Sequence, residues 1–135
     1  FSPIFVNISF VGTSALAKEA GEAGEGSFVS QVMPNPFTSD LAIVKQFQED
    51  MTKAGKADMI DYTSLEGYVQ AAMFTMALGS IEGDVTRDKL IEAFNKLDID
   101  LGGLKLKFTP EDHQALDQVY LTRIVGGKPE TVEGF

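Results

Sequence analysis

Residues 3–11 are dominated by Pro, Ile, Phe and Val and run into Gly12 with little polar alternation. That pattern predicts a strand covered on both faces, as in a buried parallel sheet. Thr13 is placed to cap a following helix whose small apolar positions are Ala15, Leu16, Ala17 and Ala20, with Gly21 and Gly24 as its stop. A second strand is predicted over residues 27–33. Strand, helix and strand in that order form the repeating unit of a doubly wound α/β sheet.

Pro34-Asn35-Pro36 then interrupts the pattern. Two prolines remove two backbone donors and hold the residues before them extended, which predicts a crossing segment or boundary. Beyond it the periodicity becomes helical. Residues 39–54 place Leu41, Val44, Phe47 and Met51 on one face and end at Gly55. Residues 64–78 carry a wide apolar stripe of Leu65, Tyr68, Val69, Ala72, Met73, Met76 and Ala77, which predicts a well-buried helix. Residues 86–97 read as a third, capped by Thr86, with Asp88 in its first turn and Leu90, Ile91, Phe94 and Leu97 facing inward. The pattern returns to period two at residues 104–108, and residues 118–125 are rich in strand formers, with a turn around residues 109–113 between them. Three amphipathic helices thus lack an obvious sheet of their own, and the expectation is that the chain begins within a larger fold whose preceding part is missing.

Composition narrows the functions. A chain of 135 residues with 44% hydrophobic residues is that of a globular domain, and no apolar run approaches the roughly 20 residues that span a bilayer. The net charge of -9, with no Lys/Arg cluster, argues against nucleic-acid binding. Without cysteine there is no disulfide, thiolate nucleophile or thiolate metal site.

Candidate chemistry is sparse. The single histidine, His113, stands in a polar turn with no second group to orient it as a base. Asp98 and Asp100 do not continue into a calcium loop, because Gly102 stands where an oxygen ligand is needed and no Glu closes the pattern. Gly21, Gly24 and Gly26 follow a helix rather than a strand and do not form a dinucleotide cradle. No metal or cofactor site is expected. Two places stand out. Asn7, Ser9 and Phe10 lie at the C-terminal end of the first predicted strand, where open α/β sheets place ligand contacts. Tyr62, Ser64 and Glu66 lie at the start of the apolar-striped helix, where free N–H groups suit a polar ligand, although Thr63-x-x-Glu66 also reads as a capping box that would occupy Glu66.

These motifs in their order resemble the type I periplasmic solute-binding proteins, and among them the branched-chain-amino-acid receptors of ABC importers. The resemblance rests on Pro3-Ile4-Phe5-Val6-Asn7-Ile8-Ser9-Phe10-Val11-Gly12, the alanine-rich helix ending Gly24-Glu25-Gly26, Pro34-Asn35-Pro36, Ser64-Leu65-Glu66-Gly67-Tyr68, Thr86-Arg87-Asp88, Leu101-Gly102-Gly103, and Val119-Tyr120-Leu121 through Gly126-Gly127-Lys128. It implies an α/β fold of Rossmann-like three-layer lobes, only partly represented in this chain, which looks like the C-terminal part of such a protein. Residues 1–33 would belong to the second lobe, 34–37 to a hinge crossing made by Pro34, Asn35 and Pro36, 38–102 to first-lobe helices, and 103–135 to a return to second-lobe strands and a C-terminal tail.

The function so implied is periplasmic or extracytoplasmic capture of a small amino-acid-like or organic-acid solute, trapped by hinge closure and passed to a membrane permease. The position matching Ser9 commonly carries an acidic residue that pairs with the ligand's ammonium group. A serine there supplies no charge, which opens carboxylates, aromatic acids and amides as solutes. A sensory domain of a membrane receptor is the alternative reading. An enzyme on the same scaffold is less supported, because no nucleophile–base pair is visible.

Overall fold

The computed structural model describes residues 2–132. The last residues of the segment expected to return, 133–135, lie outside them. Strand β1 (Val6–Ile8) leads through a short 3-10 turn (Ser9–Val11) into α1 (Thr13–Ala20), and β2 (Phe28–Gln31) pairs with β1 in parallel. This is the expected β-α-β unit, but β1 is shorter than the pattern implied. The chain leaves extended geometry at Ser9, and Gly12, at φ +68, makes the sharp entry into α1. Nor is β1 buried: it is the edge of its sheet, with Val6 67% and Ile8 59% exposed, because no element among the described residues packs over it.

Beyond the two prolines come α2 (Ala42–Lys53), α3 (Tyr62–Gly79) and α4 (Arg87–Asn95), close to the three periodic segments. Thr86 caps α4 as expected, accepting from the Lys89 N–H. The start of α3 corrects the sequence reading. Its cap is Asp61, which accepts from the Ser64 N–H at 2.7 Å while the Ser64 hydroxyl accepts from the Asp61 N–H at 2.9 Å. The reciprocal box therefore sits two residues earlier than Thr63 and Glu66, and the Glu66 carboxylate instead accepts from Gln70 one turn on.

Two strands went unseen in the pattern. β3 (Asp98–Leu101) turns at Gly102-Gly103 into β4 (Leu104–Lys107), and β5 (Tyr120–Val125) turns at Gly126-Gly127 into β6 (Lys128–Val132). All four glycines have positive φ, the conformation that tight hairpin turns require. The main sheet runs β1-β2-β5-β6 with only its first pair parallel, so it is mixed, not uniformly parallel.

The β3–β4 hairpin supplies the surface that α2 and α3 lacked. Met33, Ile43, Val44, Phe47, Tyr62, Leu65, Val69, Leu104 and Leu106 form one buried cluster. α4 covers a further part of α3, with Phe94 against Phe74, while Met76, counted in its stripe, is 44% exposed. Around the four-stranded sheet the interior is smaller, with Ala17, Val29 and Ile124 buried beside Thr13, Gln31 and Thr122.

Thr13 is also not the helix cap it was expected to be, since no side chain caps α1. The Thr122 hydroxyl donates to the Val29 carbonyl at 2.9 Å, so its bond of 2.9 Å with Thr13 takes its proton from Thr13. Thr13 in turn accepts from Gln31 Nε2 at 2.7 Å. Three buried polar side chains thereby satisfy one another and fix the first turn of α1 to β2 and β5.

Candidate ligand-binding site

The start of α1 and the start of α3 meet around a small cavity of about 110 Å³. Phe10 to Ala15 line one side of it and Asp61, Tyr62 and Thr63 the other. Of the residues singled out in the sequence, Phe10 and Tyr62 are brought together here. Phe10 is 93% exposed, whereas Tyr62 is 3% exposed with its ring in the buried cluster. Asn7 is half-buried on β1 beside Val29, and Ser9 is half-buried at the start of the 3-10 turn, its carbonyl accepting from the Gly12 N–H. Neither lines the cavity. The Ser64 hydroxyl is taken up by the Asp61 N–H and the Met59 carbonyl, and Glu66 lies on the next turn of α3.

Sequence reasoning passed over Ser14. Among the described residues, the Ser14 and Tyr62 hydroxyls are the two buried side-chain polar atoms without a hydrogen-bond partner, and both residues line this cavity. A buried hydroxyl left unpaired costs about 1–3 kcal/mol. Burial pushes the Tyr62 phenol up to about 12, which keeps it protonated and able to donate at neutral pH.

The Pro34-Asn35-Pro36 segment is buried and tied at both ends. Asn35 Nδ2 donates to Thr131 Oγ1 on β6 at 3.2 Å, and its Oδ1 accepts from the Phe37 and Thr38 N–H groups at 2.9 and 3.3 Å. Gln48 on α2 donates to the Pro36 carbonyl at 2.7 Å. The segment therefore bridges the four-stranded sheet and the helical cluster through named contacts.

Other places offer less. A larger cavity, about 640 Å³, is an open trough along α4 and β3. Of its charged groups, Lys96 is engaged with Glu92, Asp98 with Lys107, and Lys89 with two backbone carbonyls. His113 is exposed beside Phe94 and Phe108. No group of His, Asp and Glu among the described residues could hold a metal ion, and no described helix is long and apolar enough to cross a membrane.

A parallel β-α-β unit joined through a buried crossing to a separate helical cluster, with a cavity where the two meet, is the architecture of the type I periplasmic-binding-protein fold. The sequence matches the periplasmic binding protein family over residues 2–128, and the chain belongs to that family. Among solved structures, a possible leucine/isoleucine/valine-binding protein from Rhodopirellula baltica is 31% identical, with a TM-score of 0.89 over 98% of this chain. A fatty acid ABC transporter substrate-binding protein from Thermomonospora curvata is 28% identical, with a TM-score of 0.77 over 98% of the chain. A branched chain amino acid ABC transporter protein from Thermus thermophilus, solved with bound valine, shares the fold at 16% identity and a TM-score of 0.75 over 98% of the chain. The chain spans 36%, 36% and 39% of the length of these three. No curated protein sequence matches it.

Proposed function

We propose that the chain is part of an extracytoplasmic protein that captures a small amino-acid-like or organic-acid solute for an ABC importer and makes or breaks no bond. The observation that carries this reading is the match to the periplasmic binding protein family over residues 2–128, beside a cavity between α1 and α3 that Phe10 and Tyr62 help to line. Residues 1–33 and 103–135 are assigned to one lobe, residues 38–102 to the other, and Pro34, Asn35 and Pro36 to a crossing that acts as hinge. The separate sheet and helical interiors and the double anchoring of Asn35 and Pro36 favour two parts joined at the crossing. However, β4, within 103–135, pairs with β3 and packs through Leu104 and Leu106 into the helical cluster, so the return to the four-stranded sheet falls after it, at β5.

In this reading solute binds between the starts of α1 and α3, contacts both, and shifts the equilibrium toward the closed arrangement by its greater affinity for it. Phe10 and Tyr62 wall the site, and Asn7, Ser9, Ser64 and Glu66 are assigned to the same cleft. Two relatives above 25% identity are named as a possible leucine/isoleucine/valine-binding protein and a fatty acid substrate-binding protein, solutes that share a carboxylate on an apolar chain.

The test is thermal unfolding of the complete gene product against a library of amino acids, fatty and aromatic acids, amides and amines. A true solute at 100 times its Kd adds about 2.7 kcal/mol of stability, a shift of several degrees. Silence across the library would overturn the reading.

A further inference from the structure

Gly12 begins α1 without a side-chain cap, and the Ser14 hydroxyl is unpaired. Among the described residues, the side-chain hydrogen bonds that tie the first turn of α1 to other elements are those of Thr13, with Gln31 Nε2 at 2.7 Å and with Thr122 Oγ1 at 2.9 Å. That turn is one wall of the cavity, lined by Gly12, Thr13, Ser14 and Ala15, whereas Gln31 and Thr122 do not line it. Gln31 is 2% exposed and ends β2, so its amide is held by the sheet and reaches the wall through one hydrogen bond. Two residues further on, Met33 is buried in the same cluster as Tyr62, which belongs to the opposite wall. The short stretch from Gln31 to Met33, immediately before Pro34, is therefore connected to both sides of the cavity, to one by a hydrogen bond and to the other by packing.

Resting on the solute-binding reading above, we infer that Gln31 is a positioning residue for that cavity: without lining it, Gln31 sets through Thr13 where the first turn of α1 stands opposite Tyr62, and so how tightly a solute is held. A binding wall has to be kept within roughly half an ångström of its place by the hydrogen bonds and packing behind it. Gln31 supplies such a bond. Its amide donates to Thr13 Oγ1, which gives its own proton to Thr122, which donates in turn to the Val29 carbonyl. A methionine in place of Gln31 fills nearly the same volume and leaves the bonds from Thr13 to Thr122 and on to Val29 intact, so what it removes is the tether between β2 and α1. A turn that has been loosened must be ordered again when solute binds, and that cost is subtracted from the affinity. A residue that only stabilises the fold lowers the unfolding temperature and leaves the affinity of the folded protein unchanged, so the two roles separate by measurement.

The experiment is titration calorimetry on the complete gene product with L-leucine and hexanoate as probes, on the parent and on Gln31→Met, Thr13→Val, the double variant and Thr13→Ser, with thermal midpoints measured alongside. Gln31→Met and Thr13→Val are each expected to weaken binding about tenfold, the factor that one hydrogen bond corresponds to. The double variant is expected to bind no more weakly than Thr13→Val alone, because the bond that Gln31→Met removes is already gone, and Thr13→Ser, which keeps the acceptor, to bind like the parent. A lower midpoint with unchanged affinity in Gln31→Met would make Gln31 a structural residue only, and losses that multiply in the double variant would show that it does not act through Thr13. Either result overturns the inference and leaves the solute-binding reading standing. Should Gln31→Met fail to fold, Thr13→Val against Thr13→Ser reads the same bond from its other end, and equal affinities there would overturn the inference. If neither probe binds the parent, the inference falls with them, whereas the solute-binding reading falls only on silence across the whole library.

Discussion

The Ile43 N–H, in the first turn of α2, donates to the Gly102 carbonyl at 3.1 Å, so a hairpin turn from sixty residues later caps a helix that has no side-chain cap of its own. Gly102 can approach this closely because it lacks a side chain. A Cβ there would lie 2.6 Å from the Ile43 nitrogen, and φ is +59. Gly126, in the β5–β6 turn, has a similar φ of +56 but open space around it. Gly102→Ala is therefore expected to destabilise by about 3 kcal/mol, from left-handed strain plus forced repacking, and Gly126→Ala by only about 1 kcal/mol from the strain. Urea unfolding of the two variants checks this; equal losses would mean that the contact with Ile43 contributes nothing.

The Thr13 network makes a second test, because it reverses what a cap would do. Asp is as good an N-cap as Thr, so Thr13→Asp would be harmless or stabilising if the side chain capped α1. Thr13 is fully buried between Gln31 and Thr122, so Thr13→Asp should instead be severely destabilising. Thr13→Val keeps the shape but leaves the Gln31 amide without its acceptor, at an expected cost of about 2 kcal/mol, while Thr13→Ser should retain most of the stability.

Much of the fold was legible in the chain because its helices have regular stripes and its first β-α-β unit has clear punctuation. The failures have particular causes. Asp98-Ile99-Asp100-Leu101 alternates as a strand should, but its two acids drew attention as calcium ligands; their place is the outer face of β3, with Lys107 paired to Asp98. Pro129 is a poor residue for an inner strand, and β6 accommodates it at the edge of the sheet. Thr63-x-x-Glu66 matches the sequence signature of a capping box better than Asp61-x-x-Ser64 does, yet the helix starts earlier. The partners of Thr13 are far away in sequence and leave no local signal. Phe10 and Tyr62 drew attention because they lie at element ends, and the structure brings both to one cavity. Ser14 was not, since its interest lies in what it fails to bond.

Asn35 should be worth more than the turn it sits in. Asn35→Ala removes the acceptor for two N–H groups and the donor to Thr131, and about 2 kcal/mol of destabilisation is expected. Thr131→Val removes only the tie between the crossing and β6, with an expected loss of about 1 kcal/mol. If Thr131→Val is neutral while Asn35→Ala is costly, the residue is a local turn former and not a strap between the sheet and the crossing.

Three tyrosines give the protein an alkaline limit. Burial pushes the Tyr62 phenol up to about 12, and burial together with the hydrogen bond of 2.6 Å to Asp50 and that carboxylate's charge does the same to Tyr68; Tyr120 is raised by burial as well. In each case the folded state holds the proton more tightly than the unfolded chain, whose tyrosines ionise near 10. Below that pH both states are protonated and these groups impose no pH dependence. As pH rises from 10 toward 12 the unfolded chain ionises first and stability falls. Denaturant unfolding at stepped pH should show that decline. Tyr62→Phe should flatten it with little change in stability at pH 7, because its hydroxyl has no partner to lose. Tyr68→Phe should also flatten it, but at a cost near 1 kcal/mol at pH 7 for the lost bond to Asp50. An alkaline slope unchanged in both variants would show that neither phenol is held as the structure describes.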